Sequence, residues 1–329
     1  MKVLVTGAGG FLGQAVCRGL LQRGAEVSGL ARSRYLALEA QGIRMMRGDA
    51  ADRAAVAAAV AGQEIVVHTA AKAGVWGPAA EYQRTNAIGT ENILAACREA
   101  GVTRLVYTSS PSVVFTGRDQ ENLDESAPYP DRYEAAYPES KAAAERAVLK
   151  ANGPDLATVA LRPHLIWGPG DPHIAPRLVA RARSGRLRIV GSGQNRVDAT
   201  YIDNAAHAHL LAVERLAPGS PLAGRAYFIA NGEPMPLWEL VNGILAAHGV
   251  APITRKVPAW VAVAAGTVCE AWHRAWRLAD EPLMTRFVAH ELATSHWFNL
   301  EAARRDLGYA PIVTVAEGLK RLAAAVQES

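Results

Sequence analysis

The chain opens Lys2-Val3-Leu4-Val5-Thr6 and passes at once into Gly7-Ala8-Gly9-Gly10-Phe11-Leu12-Gly13. A short apolar run ended by glycines reads as a buried strand. Residues 11–23 follow with Leu12, Ala15, Val16 and Leu20 on one helical stripe and Gly24 as a stop signal. A strand that turns through glycines onto a helix N-terminus is built to take an anion. No Cβ obstructs the approach of a pyrophosphate, and the first-turn N–H groups are unpaired. The spacing is Gly7-x-x-Gly10-x-x-Gly13, which differs from G-x-G-x-x-G because position 12 is Leu. Gly7, Gly10, Phe11, Leu12 and Gly13 are therefore the candidate nucleotide-binding residues.

The pattern that follows supports such a layer. Strand-like runs fall at 26–31, around Met45 and Met46 up to Gly48-Asp49, and at 65–68, 104–108 and 159–161. Helical spacing occupies 52–61, 86–100 and 137–151 between them. Alternation of this kind predicts an α/β, Rossmann-type doubly wound parallel sheet with helices on both faces. Strands without in–out alternation fit a sheet covered on both sides. After Arg162-Pro163 the pattern changes. Gly168-Pro169-Gly170-Asp171-Pro172 reads as a loop, further strands are expected near 187–190 and 226–229, and the chain looks largely helical from Pro252 onward. The expected division is a nucleotide-binding domain over 1–165, with segments near 195–230 returning to it, and a smaller mixed substrate lobe over 166–329.

Composition removes several classes of function. Half of the 329 residues are hydrophobic and a fifth are charged, enough to bury a core and to exclude disorder as the main state. The longest uncharged apolar stretch, 258–269, falls short of the roughly 20 residues that span a bilayer, so no transmembrane segment is expected. Net charge is 35 − 31 = +4, without a run of five or six like charges; nucleic acid is not an expected partner. The Arg177, Arg181, Arg183, Arg186 and Arg188 cluster reads as a solvated helix face. Cys17, Cys97 and Cys269 are far apart and form neither metal spacing nor a disulfide framework. The N-terminus shows no signal-peptide pattern. These features together point to a reducing, cytoplasmic compartment.

Residues 27–38 contain no acid to bond the ribose hydroxyls of NAD; Arg32 and Arg34 stand there, and a cation suits the extra phosphate of NADP(H). Asp49 is a candidate for the adenine side, or a cap for the helix that follows. Tyr137 and Lys141 are four apart and share one helix face. A phenol is a weak acid, with pKa about 10; a nearby ammonium, and then an oxidised nicotinamide, would lower that value. Ser110, at the end of the fifth strand, is placed to hold a substrate oxygen. The expected chemistry is hydride transfer to a carbonyl carbon with a proton from Tyr137.

These motifs, with Thr108-Ser109-Ser110-Pro111-Ser112-Val113, the run 161–171 and Tyr201-Ile202-Asp203-Asn204-Ala205-Ala206, resemble the extended short-chain dehydrogenase/reductases from residue 2 to beyond 310. His68-Thr69-Ala70-Ala71 and the layout are similar to the 3β-hydroxysteroid dehydrogenase branch. Further likeness, through 70–77, 156–163, 226–229 and 231–234, is to bacterial β-keto acid reductases of long-chain olefin formation. The resemblance implies NADPH-dependent reduction of a β-keto acid with two long alkyl chains. It assigns catalysis to Ser110, Tyr137 and Lys141, adds Ala70 and Lys141 to the cofactor-facing set, and implies a homodimer through helices 86–100 and 137–151. It also implies association with the condensing, β-lactone-forming and decarboxylating enzymes of that pathway. His164 receives no role and reads as a structural histidine near the sheet edge.

In the second half, Trp260, Trp272, Trp276, Trp297, Phe287 and Phe298 line an acyl-chain channel or pack helices. Residues 258–279 read as an amphipathic helix with His273, Arg274 and Arg277 on its polar side, either a lobe helix or a membrane-surface one. Arg274 and Arg286 are candidates for a substrate carboxylate. Two alternatives remain: a nucleotide-sugar epimerase or dehydratase retaining NAD, and a non-enzymatic NADP-sensing protein.

Overall fold

Val3 and Val5 face one hydrophobic core and Leu4 faces another, the period-two signature of a strand buried on both sides. That strand, β1 (Lys2–Thr6), lies inside a seven-stranded sheet. The structure is a computed structural model that describes residues 1–278 and 280–328. The remaining strands are β2 (Glu26–Ala31), β3 (Arg44–Arg47), β4 (Ile65–His68), β5 (Arg104–Thr108), β6 (Ala157–Pro163) and β7 (Arg225–Ile229). All pairings are parallel, in the order β7-β6-β5-β4-β1-β2-β3. Chain direction across the sheet reverses between β1 and β4, and the crevice at their C-terminal ends is where such sheets bind ligands.

Helices Phe11–Gln22 and Ile202–Arg215 pack together on one face. Arg53–Val60, Gly89–Glu99 and Ala136–Lys150 cover the other. Asp52 starts the Arg53–Val60 helix by accepting hydrogen bonds from the Ala54 and Ala55 amides, so the cap is Asp52 and not Asp49. The helix expected over 86–100 begins at Gly89 and is entered through a π-helical turn, Gln83–Ile88.

Over the C-terminal edge of the main sheet lies a small mixed sheet in the order Met235–Pro236, Arg196–Val197, His296–Phe298, Gln120–Leu123. Ile166–Trp167 pairs with Thr200–Tyr201, and Ile189–Val190 with Lys256–Val257. The region after Pro252 is largely helical as expected, with helices Ala259–Ala275, Arg286–Ala293 and Val315–Gln327, and it also holds the short strands Lys256–Val257 and His296–Phe298. Ala279, the expected end of the 258–279 helix, lies outside the described residues; the helix ends at Ala275. Among the described residues no helix is long and apolar enough to cross a membrane.

Candidate active site

The glycine turn is held closed by its own backbone. The Gly7 amide donates to the Leu30 carbonyl at 2.8 Å, and the Gly10 amide donates to the Gly7 carbonyl at 2.8 Å. Gly7 has φ +69°, and a Cβ there would lie 2.7 Å from the Ala70 backbone. A Cβ on Gly13 would lie 2.1 Å from the Gly7 carbonyl oxygen, so helix Phe11–Gln22 packs against the turn only because Gly13 has no side chain. Gly10 caps that helix without a side-chain hydrogen bond, and its first turn holds no acid. The first-turn amides therefore face the crevice with their positive end unneutralised, which suits a pyrophosphate.

On one side of the turn is a cavity of about 230 Å³ lined by Gly7, Gly10, Arg32, Tyr35, Asp49 and Ala70, among others. Arg32 is exposed at its rim, at the end of β2. Arg34 is turned away into an ion pair with Glu39 at 2.9 Å. Asp49 accepts the Ala51 amide at 3.0 Å and pairs with Arg84 at 3.1 Å. Tyr35 was not expected here. Its ring lies on Gly9, where a Cβ would come within 2.1 Å of it.

On the other side opens a cleft of about 430 Å³, which Gly7, Gly10, Phe11, Leu12 and Gly13 share with Ser110, Tyr137 and Lys141. Ser110 follows β5, and its hydroxyl accepts the Ser112 amide at 3.2 Å, capping the turn Pro111–Val114. Tyr137 and Lys141 stand one turn apart on helix Ala136–Lys150. Lys141 is 2% exposed. Burial brings its ammonium down to about 7, against the pull of the Glu145 carboxylate. Burial pushes the Tyr137 phenol above its ordinary value, and a hydrogen bond with Ser110 opposes that rise. The expected lowering of the phenol by Lys141 is not present. The ammonium donates to the Thr108 carbonyl at 2.5 Å and sits 4.3 Å from the Tyr107 ring centre, so its charge is directed at those groups.

Asn86 ties this helix to the cleft loop. Its Oδ1 accepts the Lys72 amide at 2.7 Å, and its Nδ2 donates to Ser140 Oγ at 2.9 Å. The sequence offered only an asparagine at an expected helix start, and a side-chain bridge between two distant segments leaves no local signature.

The opposite wall comes from the small sheet and the helix before it. Phe115, Phe287 and Phe298 line it, together with His164, Glu291 and His296. His164, directly after β6 and with its amide bonded to Ile229 of the edge strand β7, stands at the sheet edge as expected and also lines the cleft. Its Nδ1 faces the Asp198 carbonyl at 2.8 Å, and its Nε2 faces His296 Nδ1 at 3.1 Å. His296 Nε2 in turn faces the Glu291 carbonyl at 2.8 Å. Carbonyls only accept, so each ring carries its proton on the side away from the other. Two neutral rings so placed meet lone pair to lone pair. Burial drives the His164 imidazole down to about 3.

Two expectations are overturned. Trp260, Trp272 and Trp276 are exposed on the surface and line no cleft; of the aromatic group, Phe287 and Phe298 do. Arg274 and Arg286 both bond the buried Glu270, at 3.0 and 3.1 Å, and neither lines the cleft. The arginine that does is Arg177, paired with Glu281 at 2.5 Å.

The comparisons with known proteins agree with this geometry. The pattern of the 3-beta hydroxysteroid dehydrogenase/isomerase family matches residues 4–258. The chain is 54% identical, over 98% of its length, to a 2-alkyl-3-oxoalkanoate reductase of Stenotrophomonas maltophilia, covering 99% of that protein. A 2-alkyl-3-oxoalkanoate reductase of Shewanella oneidensis is 48% identical over 98% of this chain and 85% of its own. Among solved structures, MoeE5 in complex with UDP-glucose and NAD is similar, with TM-score 0.76 and 26% identity over 100% of this chain and 99% of that one. With a glycine turn at a helix N-terminus, a cleft holding Ser110, Tyr137 and Lys141, and these relatives, the chain is an oxidoreductase that belongs to the 3-beta hydroxysteroid dehydrogenase/isomerase family, within the extended short-chain dehydrogenase/reductases.

Proposed function

We propose that the chain reduces the 3-keto group of a 2-alkyl-3-oxoalkanoate to the 3-hydroxy acid, using NADPH, as a step of long-chain olefin formation. The carrying observation is one cleft that joins the glycine turn to Ser110, Tyr137 and Lys141 and closes on an apolar wall of Phe115, Phe287 and Phe298. The names of the two bacterial relatives support the substrate class.

The cradle fits a dinucleotide, because a side chain at Gly7 or Gly13 would meet backbone under 3 Å. Gly7, Gly10, Phe11, Leu12 and Gly13 would hold the pyrophosphate, Arg32 the extra phosphate, and Asp49 and Ala70 the adenosine side. NADPH, when bound, supplies the hydride. Ser110 Oγ and Tyr137 Oη hold the ketone oxygen, and Tyr137 Oη gives it a proton. Lys141, held on the Thr108 carbonyl, would lend positive charge to that end of the cleft. The raised phenol favours the protonated form that reduction requires of its acid. We also infer a homodimer through Gly89–Glu99 and Ala136–Lys150, and contact with the other enzymes of the pathway.

The test is NADPH consumption with a 2-alkyl-3-oxoalkanoic acid, beside UDP-glucose as the competing substrate class. Turnover of the acid with stoichiometric NADPH loss is expected. Epimerisation of the sugar without cofactor loss would replace this reading.

Two further results are expected. Arg32→Ser should raise KM for NADPH about tenfold or more, the worth of a hydrogen bond to a charged group, and leave KM for NADH unchanged; equal effects on both would remove Arg32 from the phosphate site. Lys141 is cationic below about 7 and neutral above it. The pH profile of kcat/KM for reduction should therefore fall as pH rises past that value, and Lys141→Met should abolish the fall.

A further inference from the structure

Helix Ala259–Ala275 is fastened to the fold by one narrow stripe. Ala262, Gly266 and Glu270, spaced four apart, are its buried residues. A Cβ on Gly266 would lie 2.7 Å from the Thr285 backbone, and Glu270 accepts the Arg286 amide at 2.7 Å. Positions two residues away from each of these point about 160° around the helix, toward solvent. They are Trp260, Ala264, Val268 and Trp272. Trp260 is 73% exposed, Val268 68% and Trp272 57%. Trp276, 64% exposed, lies 5.4 Å from the Trp272 ring and extends the patch. An apolar face of this size calls for an occupant.

The charge around it selects the occupant. From residue 251 to 278 the sole acid is Glu270, which is buried and bonded to Arg274 and Arg286. Arg255, Lys256, Arg274 and Arg277 are exposed. Tryptophans flanked by four exposed cations, against the single exposed carboxylate of Asp280 at 3.8 Å from His273, match the boundary between acyl chains and anionic headgroups. The position points the same way. The Arg274 guanidinium lies 5.6 Å from the Trp76 ring centre, and His273 meets that ring edge-on at 5.8 Å. Trp76 directly follows Ala73, Gly74 and Val75, which line the cleft. On the other side the helix packs on Arg286–Ala293, whose Phe287 and Glu291 line it as well.

We infer that helix Ala259–Ala275 lies in the surface of an anionic bilayer and holds the cleft against it, so that a two-chain acid passes between lipid and Tyr137 without crossing water. The surface contact stands on the helix alone. The passage of substrate rests on the reductase reading.

The test is sedimentation of the intact protein with vesicles of equimolar phosphatidylcholine and phosphatidylglycerol. Wild type should pellet with them and be released by salt. The Trp260→Ser, Val268→Ser, Trp272→Ser triple variant should stay in solution, with unchanged Tm and an unchanged rate on a water-soluble short-chain β-keto acid. On the long dialkyl acid presented in vesicles, the variant should lose about tenfold or more of the wild-type rate. Brominated phosphatidylcholine should quench the tryptophan fluorescence of wild type, a readout that needs no variant. Absence of both pelleting and quenching overturns the inference. So does a wild-type dimer, measured by light scattering, that the triple variant dissolves, since a second copy then covers the patch. Vesicle binding without any keto-acid turnover would retain the surface contact and remove the reductase reading; turnover without vesicle binding would do the reverse.

Discussion

Tyr137→Phe should lower kcat by about 10²–10⁴-fold, the range for loss of a positioned acid–base group, with NADPH affinity unchanged. The substitution removes one oxygen and leaves the ring in the cleft lining. Burial holds the phenol protonated with Ser110 against it, so the loss falls on proton delivery. Ser110→Ala should cost less, because Tyr137 still bonds the ketone oxygen. Single-turnover hydride transfer, followed by NADPH absorbance, separates this from slow product release. A Tyr137→Phe enzyme with wild-type single-turnover rates would assign the proton to another group of that cleft, Lys141 or, on the opposite wall, Glu291 and the His164–His296 pair.

Those groups mark where the sequence stopped being informative. β1 and the glycine turn were legible because strand, turn and helix are consecutive, and each glycine answers to a neighbour a few residues away. Tyr137 and Lys141 were legible because one helical turn sets their spacing. The opposite wall was legible only as an aromatic group that included Phe287 and Phe298. His296 and Phe298 sit in a three-residue strand that exists only because Arg196–Val197 and Gln120–Leu123 pair with it. No window of sequence contains that sheet. Asn86 failed for the same reason, since its partners are Lys72 and Ser140. The tryptophans failed differently. Aromatic content suggested a lined channel, but burial is decided by which stripe of a helix is fastened, and Gly266 and Glu270 fasten the stripe opposite Trp260 and Trp272. The Tyr–Lys coupling was chemically reasonable, yet the nearest acceptor of the ammonium is the Thr108 carbonyl.

Glu145→Gln should destabilise the fold by about 3–5 kcal/mol, the cost of leaving a buried charge without its partner. Glu145 stands one turn beyond Lys141 on the same helix, and its carboxylate takes a two-pronged bond from Arg162 of β6, at 2.9 and 2.6 Å. Tyr129 donates a third hydrogen bond at 2.6 Å. Both charged side chains are essentially excluded from water. Arg162 cannot discharge itself, so the glutamine variant holds a buried guanidinium with no counter-charge. Replacing the pair together, Glu145→Leu with Arg162→Met, should recover most of the loss, since well-packed apolar residues often match a buried ion pair. Acid sensitivity gives an independent check. The bonds from Arg162 and Tyr129 hold the Glu145 carboxyl below its ordinary value despite burial. Its contribution is therefore complete above the ordinary carboxylate range and is lost as pH falls through the lowered value. Urea unfolding at neutral and at acid pH should show wild type losing this increment while the double variant does not. The ion pair also reaches the chemistry, because the Glu145 carboxylate supports the charge of Lys141. In the double variant, stability should return while the pH at which kcat/KM falls moves downward. A double variant as stable as wild type with an unmoved pH profile would show that Glu145 serves the fold and has no hold on the catalytic lysine.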